Sequence, residues 1–173
     1  MVLNGHPLLK VAPIKDMIPH KVKHNGVSHG LAEVGYDIRL KQDIRFHPLE
    51  CSTKGEILAY PLISIDSVPG DPYCRFCIAS AIEEFDMPMH LMGIVHDKST
   101  WARKGISVFN TVIEPGWKGY LTLELVFHGN EDIHIPAGTG IAQVIFHDLT
   151  ESACYSGKYQ NQEDRPVPSK YEG

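Results

Sequence analysis

Glycine and proline punctuate this chain so often that long helices have nowhere to form. Fifteen Gly and twelve Pro are spread over 173 residues, and turn residues spaced about 8–12 apart mark a succession of short strands. Between them lie runs rich in β-branched and aromatic residues: VGYDIRL (34–40), EILAYPLISI (56–65), GISVFNTVI (105–113), GYLTLELVF (119–127), EDIHIP (131–136) and GIAQVIFHDL (140–149). This pattern predicts an all-β sandwich or barrel. Helix-like segments are few and short, IASAIEEF (78–85) and STWARKG (99–105), fewer than an average globular chain carries.

The length fits one domain with a real core, and no repeat or linker divides it. Apolar residues make up 43% and charged residues 21%, a soluble globular composition. A net charge of −5 gives no electrostatic footprint for nucleic acid or an anionic membrane. A polyanionic ligand would have to be held by a few placed Lys and Arg. No run is long enough to span a bilayer, and no signal peptide is evident. The four cysteines, Cys51, Cys74, Cys77 and Cys154, are irregularly spaced in a chain of ordinary size. The expectation is reduced thiols and a cytoplasmic location.

Residues 105–127 carry the clearest pattern. Ile106, Val108 and Val112, then Leu121, Leu123 and Leu125, fall at even spacing, as half-buried strands require. Pro115-Gly116-Trp117-Lys118-Gly119 supplies turn chemistry between them, so one hairpin is expected. Alternation puts Glu124 on the face opposite Leu123 and Leu125, where it is either solvated or turned toward a pocket or a neighbouring subunit. From Glu151 onward the periodicity is lost. That tail is either a disordered end or an arm that orders over a site.

Several motifs weigh against common chemistries. Cys74-Arg75-Phe76-Cys77 has zinc spacing, but a zinc deaminase also needs H-x-E, and no such triplet occurs. Two buried thiols are the expected reading. Walker, Rossmann and G-x-S-x-G motifs are missing. Ser99-Thr100 ahead of Trp101-Ala102-Arg103 reads as a helix N-cap, or as phosphate capture by hydroxyls with a guanidinium one turn on. Glu124 alone could be an ordinary strand residue. Singly each is unremarkable; their grouping around one segment is not.

That grouping resembles the dCTP deaminases of the trimeric dUTP pyrophosphatase superfamily. The resemblance rests on S-x-x-x-R-x-G (Ser99, Arg103, Gly105), V-I-E-P-G-W-x-G (112–119) and L-T-L-E (121–124). GYDIRL (35–40), GIAQVIF (140–146) and GKYQNQ (157–162) follow the same family order. It implies a distorted, jelly-roll-like β-barrel of the dUTPase type over 1–173, with residues 155–173 as an arm closing the active site. It implies a homotrimer or hexamer with sites between subunits, and hydrolytic deamination of dCTP to dUTP and ammonia. Glu124 would be the catalytic carboxylate, Ser99 would help hold the attacking water, and Arg103 would act with them. Lys98, Ser99, Thr100 and Arg103 would grip the phosphates and flank the base, and Glu114 would meet the 3′-hydroxyl. Thr122, Leu123 and Glu124 would read the cytosine, and Gln143, Tyr155, Lys158 and Gln162 would contact the nucleotide. Mg²⁺ would come bound to the triphosphate, with no zinc, and dTTP would be an inhibitor. No nucleic acid or membrane partner is implied.

The chain departs from the family in places. Lys98 stands where Arg is usual, so a bidentate phosphate contact becomes a point charge. Glu114 replaces Asp, the 105–114 segment is short, and residues 1–34 match weakly. A bifunctional enzyme giving dUMP, or a deaminase of another, for example 5-modified, cytosine deoxynucleotide, stays open. So does a non-enzymatic barrel that binds nucleotide or serves as a scaffold.

Overall fold

The structure is a computed structural model and describes residues 1–48, 57–61, 76–129 and 131–171. These residues contain thirteen strands and two short helices, in order: β1 Val2–Leu3, α1 Gly5–Val11, β2 Lys21–His24, β3 Val27–Leu31, β4 Tyr36–Arg39, β5 Ile44–Pro48, β6 Ile57–Pro61, β7 Phe76–Asp86, β8 Leu91–Asp97, α2 Ser99–Ala102, β9 Ile106–Val108, β10 Val112–Ile113, β11 Lys118–Phe127, β12 Ile133–Ile135 and β13 Gly140–Asp148. Among the described residues they form three sheets. The largest runs β10-β8-β13-β4-β3-β2 with β1 on β13, and the smaller ones run β7-β11-β9 and β12-β5-β6. The sheets do not close on one another, so the architecture is a distorted β-barrel.

One apolar interior joins the three sheets. Ile38 of β4, Leu40 just past its end, Phe46 of β5, Phe85 of β7, Leu125 and Phe127 of β11 and Phe146 of β13 are all buried in it, and the Phe46 and Phe127 rings meet at 5.3 Å. In β11 burial alternates residue by residue, as a strand with one face inward must. Leu121, Leu123, Leu125 and Phe127 go in, while Tyr120, Thr122, Glu124 and Val126 line the other face. Truncating Leu125 to Ala would open a cavity costing about 3 kcal/mol.

Three sequence expectations need correction. IASAIEEF is not helical but the middle of β7, paired antiparallel with β11. Its Ala and Glu favour helix, yet Leu123 and Leu125 require a strand partner, and tertiary pairing overrides propensity. Residues 105–127 are not one hairpin either. β9 pairs with β11 while β10 crosses to pair with β8, so the Pro115–Gly119 turn carries the chain between sheets. Finally, the Ser99-Thr100 pair does not cap α2. The N-cap is Lys98, without a side-chain capping bond.

The 56–65 run is β6 as far as residue 61; its remainder, with Cys51 and Cys74, lies outside the described residues. Cys77 is buried in the core, as expected of a thiol used for packing.

Candidate active site

Glu124 sits mid-strand on the outward face of β11, where its carboxylate is half buried. The register fixes its surroundings. Ile78 of β7 lies opposite on one side, and on the other the Phe109 N–H donates to the Glu124 carbonyl at 3.0 Å. Its Oε2 is fully covered and has no hydrogen-bond partner among the described residues. Burial holds the carboxyl above the ordinary glutamate range, and only its own backbone N–H pulls the other way. A desolvated carboxylate without a counter-ion is costly to build. It also keeps its proton to a higher pH than an exposed glutamate would.

The 98–103 segment lies at the end of β8. Ser99, Thr100 and Arg103 are exposed, and none of their side chains meets a partner among the described residues. Lys98 differs. Its ammonium pairs with Asp37 of β4, and side-chain exposure is 11% for Lys98 and 4% for Asp37. Ser28 Oγ donates to the same Asp37 oxygen at 3.2 Å. Lys98 is thus committed to a buried carboxylate rather than extended toward solvent, and that pair ties the start of α2 to β4. Trp101 holds the same short helix from below, donating through Nε1 to the Gly140 carbonyl at 2.7 Å.

Residues 155–167 lie along the 115–122 stretch that leads into and forms the first half of β11. Tyr155 N–H donates to the Pro115 carbonyl at 2.8 Å, and Tyr120 N–H donates to the Gln162 carbonyl at 3.1 Å. Trp117 Nε1 donates to the Tyr159 carbonyl at 2.7 Å. At the far end, Gln162 Nε2 and the Val167 N–H both donate to Thr122 Oγ1, and Lys41 pairs with Asp164. Gly119 makes this docking possible. A Cβ there would stand 2.5 Å from the Gln162 backbone, and its φ of +129° suits glycine.

The remaining expected residues are more scattered. Glu114 is exposed just after β10, its carbonyl accepting from Trp117 N–H at 3.2 Å. Leu123 points into the core, so only its peptide groups can reach a ligand. Gln143 of β13 stands in register with Asp37 and His96 and donates to the Val34 carbonyl at 2.9 Å. The exposed Lys158 gives its ammonium to the Lys170 carbonyl and lies 5.4 Å from the Tyr159 ring centroid.

Among the described residues, no hydrogen bond or ion pair joins the Ser99/Arg103 group to Glu124. Among the described residues there is no group of three or more His, Cys, Asp or Glu placed to hold a metal ion, and no helix is long and apolar enough to cross a membrane.

Sequence reasoning missed Asp37 as the partner of Lys98, although it stands in the GYDIRL motif. It also missed Phe109 beside Glu124. The register that brings Phe109 there depends on β9 pairing with β11, which single-strand alternation does not reveal.

Comparison with known proteins gives one answer. The family model for dCTP deaminase-like proteins matches residues 8–149. A dCTP deaminase from Nitrosomonas europaea is 35% identical over 168 residues, 90% of this chain and 89% of that protein. One from Roseiflexus castenholzii is 34% identical over 159 residues, 86% of each. Among solved structures, a 2′-deoxycytidine 5′-triphosphate deaminase from Agrobacterium tumefaciens superposes with a TM-score of 0.53 at 14% identity, over 85% of this chain and 47% of that one. A mutant dUTPase from phage phi11 of S. aureus, described with a structural Mg(II) ion, superposes at 0.50 and 12% identity, over 83% of this chain and 92% of that one.

Proposed function

The chain belongs to the dCTP deaminase-like family, and we propose that it converts dCTP and water to dUTP and ammonia with Glu124 as the acid–base. The observation that carries this reading is the unpartnered, buried Oε2 of Glu124 on a carboxyl whose proton affinity burial has raised. Water attacks C4 of cytosine poorly unaided. A carboxylate beside the ring takes the water's proton as the C–O bond forms and passes it to the ring nitrogen. It then assists departure of the amino group as ammonia. Ser99 holds the attacking water and Arg103 meets the nucleotide's charge.

The free state of Ser99, Thr100 and Arg103 within one protomer supports a site completed between subunits of a homotrimer. There Ser99 and Arg103 of one copy would face Glu124 of the next. Glu114, the Thr122–Glu124 backbone, Gln143, Tyr155, Lys158 and Gln162 complete the nucleotide contacts. Mg²⁺ enters on the triphosphate, whose several negative charges need a hard cation, and we assign no zinc to the chemistry. dTTP, sharing the sugar and phosphates, competes at the same site.

Product analysis tests this reading. Purified, EDTA-treated protein with excess Mg²⁺ is given dCTP or dUTP, and ion exchange separates dUTP from dUMP. dUTP from dCTP, with dUTP left intact, is the expected result. dUMP would show that the site also cleaves the phosphate chain, and no product from dCTP would sink the assignment.

A further inference from the structure

Beside Glu124 the outward face of β11 ends in an aromatic wall that the roles above leave unused. The β9 register continues one residue past the strand. Leu125 lies opposite Val108, and Phe109 N–H then bonds the Glu124 carbonyl at 3.0 Å. Phe109 is therefore the cross-strand neighbour of Glu124 on the same face, opposite to that of the buried Ile106 and Val108. Phe76 of β7 lies across from Val126, one step further along that face. The two rings stack over the strand between them at 6.1 Å and 30°.

Phe109 is 52% exposed and Phe76 38% exposed. Two large rings left open to water beside a functional group call for something that covers them. The face is bounded on two sides. Residues 160–167 cover its Thr122 end through Gln162 and Val167, and the phenylalanine pair stands at the Val126 end with the Glu124 carboxylate between. Cross-strand neighbours sit about 5 Å apart at Cβ. A planar ring resting against Phe109 is thereby brought beside Glu124. C4 of a pyrimidine and its adjacent ring nitrogen are the atoms that must come within reach of that carboxylate.

We propose that Phe109, held by the ring of Phe76, is a stacking platform for the pyrimidine of the bound nucleotide and so determines affinity for the base. This rests on Glu124 acting on a cytosine ring. The platform makes no bond to the reacting atoms. Phe109 is a positioning and specificity residue: it recognises a planar ring whatever its exocyclic group, and leaves discrimination of the amino group to the strand. It serves substrate, product and a thymine nucleotide alike.

The test uses full-length Phe109→Ala and Phe109→Trp. Steady-state kinetics with dCTP are paired with calorimetric affinities for dCTP, dTTP and inorganic tripolyphosphate, and with the oligomeric state by light scattering. Stacking on an aromatic ring is sequence-tolerant and alanine removes it at a cost of about tenfold or more in affinity. Phe109→Ala should therefore raise the KM for dCTP and the Kd for dTTP about tenfold. Tripolyphosphate affinity and assembly should be unchanged, with kcat less affected than KM, and Phe109→Trp should restore the KM. An unchanged KM in a wild type that deaminates dCTP would overturn the platform and leave Glu124 in place. Dissociation of the oligomer, or equal weakening of tripolyphosphate, would also overturn it, the first by making Phe109 a subunit contact. If the wild type binds dCTP without deaminating it, the Kd comparison still decides the platform while the reaction reading fails. If it binds no pyrimidine nucleotide, both fall.

Discussion

Glu83 and Glu124 lie on paired strands, both are desolvated, and burial raises the proton affinity of both. Their surroundings are opposite. Glu83 of β7 accepts from the Arg39 backbone N–H and from Arg39 Nε, each at 2.8 Å, so its charge is answered by a guanidinium and its oxygens are used. Among the described residues Glu124 has no cation paired with it and one oxygen with no partner. The first arrangement joins β4 to β7, which is a structural task. The second leaves an ionisable group buried without a partner among the described residues, the kind of perturbed group that clusters at functional sites. Burial is common to both; the missing internal partner is what sets Glu124 apart from Glu83.

Exchanging the two should separate chemistry from stability. Glu124→Gln removes the proton-carrying group, and dUTP formation should fall about a thousandfold, within the range expected of general acid–base catalysis. dCTP binding by calorimetry should persist. Normal turnover by this variant would erase the distinction. Glu83→Gln should do the reverse. It leaves Arg39, 28% exposed at its side chain, without its counter-charge, at a cost of about 2 kcal/mol discounted for that exposure. The melting temperature would drop by about 6 °C while turnover per folded molecule stays within about threefold. A Glu83→Gln protein of unchanged stability would mean that the pair is not structural.

A smaller effect is expected from the arm. Ending the chain before Tyr155 removes the contacts to Trp117, Tyr120 and Thr122 but no strand. The KM for dCTP should rise about tenfold, as for loss of one or two polar contacts, with near-native circular dichroism. An unchanged KM would make the arm irrelevant to the site.

The smallest effect concerns pH. A carboxyl whose folded pKa is raised favours the folded state below its unfolded pKa and loses that contribution as pH rises through the folded value. Glu124→Gln should therefore melt higher than wild type at pH 8. The gap should close as pH falls toward the ordinary glutamate range. A constant gap would mean that Glu124 is not desolvated.

What the sequence disclosed follows this same division. The alternation Leu121, Leu123, Leu125 is a local signal, and it located β11 and the outward face of Glu124 correctly. Ordered motifs identified the family. β7 was hidden because Ala and Glu speak for helix, and only its partner strand decides otherwise. The Asn25-Gly26 turn, with φ of 51° and 76°, joins β2 to β3. Asn-Gly is a strong hairpin signal, so this pair was legible and overlooked. The 105–127 crossover was not legible, because nothing local says that β10 leaves for β8 while β9 stays with β11. Phe109 and the Lys98–Asp37 pair come from such long-range register. The motifs name the residues at the site; only the pairing shows which of them are already engaged.

The most direct test is the pH dependence of kcat/KM for dCTP, measured on wild type and on Glu83→Gln. With Glu124 as the base, the rate should rise with pH along an acid limb whose midpoint lies above the ordinary glutamate value, and that limb should be the same in both proteins. A limb at the ordinary value, or one that vanishes in Glu83→Gln, would contradict the assignment of the chemistry to Glu124.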